Sequence, residues 1–130
     1  MDPALKPATE EDVRDIVTTA LAEETPLEVA GNRSKQALGR YVPLNRRLDV
    51  SGLTGITLYE PGELVLSARA ATPLAEIETA LAAEGQCLAF EPPDWGPLWN
   101  SEAQQTIGGV LACNLAGPRR LRAGQQGTPV

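Results

Sequence analysis

The chain has 130 residues, room for one compact domain, and its 42% apolar and 22% charged residues suit a globular protein rather than a disordered or fibrous one. Asp and Glu number 17 against 11 Lys and Arg, and the resulting net charge of -6 repels nucleic acid and anionic membrane surfaces. With no histidine, imidazole bases, Ser-His-Asp triads and His-ligated zinc are excluded, and Cys87 and Cys113, lacking CxxC spacing, read as reduced, buried, small apolar residues.

The start, Met1-Asp2-Pro3 and then an acidic segment, is no signal sequence, and no apolar run approaches the ~20 residues of a membrane span. A soluble, cytoplasmic chain is expected. Thr9 before Glu10, Glu11 and Asp12 predicts a helix start with a hydroxyl cap and acidic groups at the positive end of the helix dipole. Val13, Ile16, Val17, Ala20 and Leu21 recur at helical spacing, predicting a helix to about Glu23 that buries this stripe, with Pro26 as its stop. Leu27 to Ala30 is a short β-prone segment opening into the loop Gly31-Asn32-Arg33-Ser34-Lys35. Arg47–Val50, Gly55–Tyr59 and Leu64–Ala68 are further extended segments, expected to build one sheet.

Thr72-Pro73 predicts a second helix, with Thr72 as cap and Pro73 in its first turn; Leu74, Ile77, Leu81 and Ala82 form its buried stripe and Gly85 its stop. From Glu91 to Pro97 prolines remove backbone donors, so no regular structure is expected before Thr106. Thr106 to Asn114 predicts a short helix entered through Gly108-Gly109. After Gly124 apolar periodicity stops, and residues 125–130 are expected to form a disordered tail behind a domain of residues 1–124.

Three segments could carry chemistry. In the loop Gly31 to Lys35, successive amides can form a concave anion site to which Ser34 and the two cations add charge-assisted bonds; a solvated polar turn is the plain alternative. At Thr106 to Gly117 a glycine pair permits close backbone approach to a phosphate or a flat ring, or simply allows tight helix packing. Pro92-Pro93-Asp94-Trp95 is either a rigid loop with Trp95 as an aromatic wall or a surface loop pinned by that ring. The basic run Arg119, Arg120 and Arg122 reads as solvated. Neither GxGxxG nor GxxxxGK[ST] occurs, so any nucleotide is held by other means.

Leu27 to Lys35, Pro73 to Gly85, Phe90 to Pro97 and Thr106 to Arg122 resemble the vanillyl-alcohol oxidase and p-cresol methylhydroxylase (PCMH) type of FAD domain, and Phe90 to Leu98 and Gln104 to Arg120 resemble in particular the FAD-binding subunits of bacterial glycolate oxidases. The resemblance implies an α+β fold, the first lobe of a PCMH-type FAD-binding domain with a small β-sheet flanked by helices. It implies FAD as cofactor, with Gly31, Asn32, Arg33, Ser34 and Lys35 as pyrophosphate loop, and Pro92, Pro93, Thr106, Ile107, Gly108, Gly109, Asn114, Ala116 and Gly117 lining the cofactor. It further implies oxidation of glycolate to glyoxylate by a full complex. The partners would be a flavin-containing large subunit and an iron–sulfur subunit, through which the chain could approach the inner membrane. Trp99 and Tyr41 stand where the family has smaller residues, and Trp99 is expected to narrow the approach to the isoalloxazine. With the second flavin lobe and the substrate cap expected beyond this chain, the alternative is a non-catalytic, truncated module that docks onto partner oxidase subunits.

Overall fold

The structure, a computed structural model, describes residues 4–40 and 42–118. Helix α1 (Glu10–Ala22) starts where the acidic cluster predicts. Thr9 Oγ1 accepts from the Asp12 amide at 3.1 Å, and the Asp12 carboxylate accepts from the amides of Ala8 and Thr9, each at 2.9 Å. This reciprocal capping box satisfies donors that a helix start otherwise leaves orphaned. The expected buried stripe is largely not buried: Ala20 is in the core, Val13 and Ile16 are half-buried, and Val17 and Leu21 are 47% and 78% exposed.

The single sheet expected from sequence is two separate pairs. β1 (Leu27–Ala30) and β2 (Arg46–Asp49) run parallel, in the register Glu28 opposite Arg47 and Val29 opposite Leu48. Leu5 joins the other edge of β2, donating to Arg47 O and accepting from the Asp49 amide at 2.8 Å each. β3 (Ile56–Glu60) and β4 (Val65–Ala68) form an antiparallel hairpin, closed by a tight turn at Pro61–Glu63 with Leu64 left-handed at φ 57°. Local β propensity does not state which edges meet, and β1 finds its partner across a long loop while β3 finds its own across a turn.

Helix α2 (Leu74–Ala83) buries Leu74, Ile77 and Leu81, but Ala82 is exposed. Its N-cap is Pro73, without a side-chain cap. Thr72, expected in that role, is wholly buried and acts as a clasp instead: Oγ1 accepts from the Gly55 amide (2.9 Å) and lies 2.7 Å from Arg69 O. Gly85 ends the helix as expected, at φ 69°.

A short helix, α3 (Gly96–Trp99), occupies the stretch expected to be irregular. Proline is no obstacle there, because a first helical turn needs no amide donor at Pro97. Asp94 Oδ1 accepts from the Gly96 amide at 2.9 Å and Asn100 closes the turn left-handed at φ 49°. Helix α4 (Ile107–Cys113) is capped by Thr106, whose Oγ1 accepts from the Gly109 amide at 3.2 Å.

Among the described residues Leu48, Ile77, Val110 and Thr72 are the largest fully buried side chains, so β2, α2 and α4 each put a side chain into the core. The architecture is the expected small α+β lobe. Both cysteines are free, but Cys87 is exposed and Cys113 half-buried, against the expectation that both are buried. No helix among the described residues is long and apolar enough to cross a membrane. Tyr41, the basic run at Arg119, Arg120 and Arg122, the boundary at Gly124 and the expected tail lie outside the described residues.

Candidate functional site

The end of β1 and the start of α4 are far apart in sequence and adjacent in space. Leu74 donates to Gln105 O at 3.0 Å, Ile107 to Thr72 O at 3.0 Å and Gly108 to Ala70 O at 2.8 Å, a seam that ties the start of α4 to the start of α2. Gly108 belongs to that seam. A methyl group built on it would stand 2.7 Å from Ala70 O and 2.9 Å from Ala70 Cβ, so the helix approaches this closely only because residue 108 has no side chain. On the other side, Gly31 faces Thr106, whose Oγ1 is 3.8 Å from where a Gly31 Cβ would stand.

Between the two turns lies a cavity of about 350 Å³. The loop Gly31, Asn32, Arg33, Ser34 and Lys35 forms one wall, and Thr106, Gly108 and Gly109 line the opposite one. Gln104 and Gln105 hold the loop across the gap: Asn32 Nδ2 donates to Gln104 O at 3.3 Å and Lys35 Nζ to Gln105 Oε1 at 2.9 Å. Arg33 is left-handed at φ 59°, and a left-handed residue in a turn directs successive amides toward a common side, as in anion-binding concavities. Among the described residues the amides of Asn32, Arg33, Ser34 and Lys35 donate to no protein acceptor. At the start of α4 the reverse holds, because the amides of Ile107, Gly108 and Gly109 are committed to Thr72 O, Ala70 O and Thr106 Oγ1. The glycine-entered helix therefore supplies a close wall, and the loop supplies the donors.

The charge is arranged unevenly. Glu28, also in the wall, accepts from Arg47 Nε at 2.8 Å and stands 3.7 Å from Arg33 Nη2, so one carboxylate serves two guanidinium groups. Burial pushes the Lys35 pKa below the usual lysine value, with the charges of Cys113 and Asp94 acting in the opposite sense. Its hydrogen-bond partner, Gln105, is neutral.

The profile of a family described as "FAD binding domain" matches residues 2–128. The chain belongs to the FAD binding domain family. It is 46% identical over 108 residues to glycolate oxidase subunit GlcE of Escherichia coli (strain K12), covering 83% of this chain and 29% of that protein. The chain thus spans under a third of the length of the curated relative it matches. Among solved structures it is similar to alkyldihydroxyacetonephosphate synthase in two crystal forms, with TM-scores of 0.69 and 0.68 at 19% and 18% identity. Both matches cover 94% of this chain, and 22% and 23% of the synthase chains. At that identity the likeness is one of fold, and the fold is that of the PCMH-type lobe expected from sequence.

The first loop fits a diphosphate: around the cavity it presents a hydroxyl, two cations and amides that have no protein acceptor among the described residues. Other expected cofactor-lining residues lie elsewhere. Ile107 lines a second, larger hollow with Leu66, Leu81 and Phe90. Asn114, left-handed at φ 48°, closes α4. Ala116 is buried and its carbonyl accepts from the Glu91 amide at 3.1 Å, while Gly117, at φ 78°, packs against the Glu91 backbone too closely to admit a side chain. Pro92 and Pro93 follow that junction and do not line the cavity. Trp95 stacks on Trp99 with ring centroids 5.7 Å apart, so the two indoles pin their own loop and neither walls the cavity. Sequence reasoning did not single out Glu28, Ala70, Cys113, Gln104 or Gln105. For Gln105 the available signal was its place immediately before a helix cap.

Proposed function

We propose that the cavity between the loop after β1 and the start of α4 holds the diphosphate of FAD, and that the chain is the FAD-binding portion of a glycolate-oxidase-type flavoprotein. The observation that carries this reading is the run of amides from Asn32 to Lys35 that have no protein acceptor among the described residues, in a loop that lines one cavity with two cations, inside a fold of the FAD binding domain family. The loop's part is to bind and orient: its amides and Ser34 take the diphosphate oxygens, Lys35 and Arg33 balance their charge, and Gly31 keeps room for the approach. FAD, when bound, supplies the acceptor for a hydride from substrate. The likeness to GlcE supports glycolate as that substrate and supports work within a multi-subunit oxidase; flavin and iron–sulfur subunits as its partners rest on the resemblance read in the sequence alone.

A titration of the protein with FAD, followed by flavin fluorescence with competitors present, tests the reading. ADP and inorganic pyrophosphate are expected to displace FAD while riboflavin leaves it bound. Displacement by riboflavin but not by pyrophosphate would place recognition on the ring and refute the diphosphate site. A second reading, a module that docks onto partner oxidase subunits, is favoured by the exposure of Leu64 (79%) and Leu111 (50%) beside the apolar hollow. It predicts association with a partner subunit whether or not FAD is present.

A further inference from the structure

Two cations line the cavity, and they differ in how their charge is spent. Arg33 sits at the loop tip and shares Glu28 with Arg47. Lys35 is half-buried, and among the described residues it forms no ion pair; its hydrogen-bond partner is the side-chain oxygen of Gln105. Gln105 itself is tied into the seam. Its backbone oxygen accepts from the Leu74 amide at 3.0 Å, and the next residue, Thr106, is 5% exposed and bridges to Pro73. We propose that Gln105 is a positioning residue: its neutral amide holds the Lys35 ammonium against the cavity wall and leaves that charge undivided for a bound diphosphate, a role that rests on the cavity being the diphosphate site.

The chemistry favours an amide in this place. A carboxylate at 105 would hold Lys35 equally well but would neutralise it and repel the incoming anion. An aliphatic residue would leave the ammonium unheld, and ordering a long lysine stem on binding then costs conformational entropy. An amide oxygen takes one of the three ammonium N–H donors and leaves two for phosphate oxygens. Gln104 completes the arrangement by accepting from Asn32 through its backbone oxygen, so two consecutive residues hold both ends of the donor-bearing stretch. The other titratable groups that act on Lys35 are Cys113 and Asp94.

The test compares wild type with Gln105→Glu and Gln105→Ala in three measurements: affinity for inorganic pyrophosphate and for FAD by calorimetry, thermal unfolding without ligand, and the titration of Lys35 by NMR. Gln105→Glu is expected to melt no lower than wild type and to raise the Lys35 pKa, yet to bind pyrophosphate at least about tenfold more weakly. Gln105→Ala is expected to weaken binding by a smaller factor and to return Lys35 toward ordinary lysine behaviour. If wild type binds and Gln105→Glu binds equally well, the role of Gln105 is overturned while the diphosphate reading stands. If Gln105→Ala moves neither the Lys35 titration nor the affinity, the positioning role fails in the same way. If wild type binds neither pyrophosphate nor FAD, the diphosphate reading itself fails and takes this role with it.

Discussion

At the scale of single residues, Gly108 and Gly109 adjoin in sequence and have different work. A Cβ at 108 would overlap the backbone of Ala70, which cannot swing away, whereas one at 109 would meet only Thr106 Oγ1 at 3.3 Å. Gly108→Ala is therefore expected to destabilise the fold by about 1–3 kcal/mol and Gly109→Ala by clearly less, measured by denaturant unfolding. Of the two readings the sequence left open for this glycine pair, close packing is what the geometry assigns to Gly108. Lys35 supports a prediction with a sign. Its pKa in the folded protein lies below the usual lysine value, and only the protonated form attracts an anion. Pyrophosphate affinity should thus fall as pH rises through this lowered pKa, before an ordinary lysine, near ~10.4, would begin to lose its charge. Subtracting the same calorimetric pH profile for Lys35→Ala removes the titration of pyrophosphate itself. A difference that stays flat up to the usual lysine range would contradict the desolvated setting of this side chain.

At the scale of elements, most starts and stops were legible because they depend on neighbours in sequence. Thr9 caps α1, a short helix lies within Thr106–Asn114, Gly85 ends α2, and Leu27–Ala30 is a strand emptying into the loop Gly31 to Lys35. What was not legible depends on partners distant in the chain. The division into two sheets, the clasp formed by Thr72 and the commitment of the α4 amides to Ala70 and Thr72 all involve pairings that no local pattern states. The capping box of α1 gives a prediction at this scale. Thr9→Ala should cost about 1 kcal/mol in equilibrium unfolding at neutral pH. The amides of Ala8 and Thr9 and the Thr9 hydroxyl hold the Asp12 carboxyl below the usual aspartate range. Because its folded pKa is the lower one, the stabilisation is present above the unfolded value and is lost as pH falls through the folded one. Asp12→Asn should therefore flatten the stability profile on the acid side, below about pH 4, and leave it unchanged in shape above.

At the scale of the whole molecule, a chain of net charge -6 gathers Arg33 and Lys35 at one cavity, together with four amides that have no protein acceptor among the described residues. The family resemblance implied that the loop and the glycine-entered helix share one cofactor, and both line this cavity. The geometry keeps both there and divides their labour, the loop giving donors and the helix giving a wall. Ala116 and Gly117 meet the backbone of Glu91 and Asn114 closes α4, contacts between distant segments that a pattern of glycines and prolines does not state. The most direct test of the account follows the backbone amides by NMR while inorganic pyrophosphate is added. The account predicts that the largest shifts fall on Asn32, Arg33, Ser34 and Lys35, with Ile107 and Gly108 little changed because their donors are already engaged. Shifts centred instead on Leu66, Phe90 and Ile107, or no saturable shift in the loop, would contradict it.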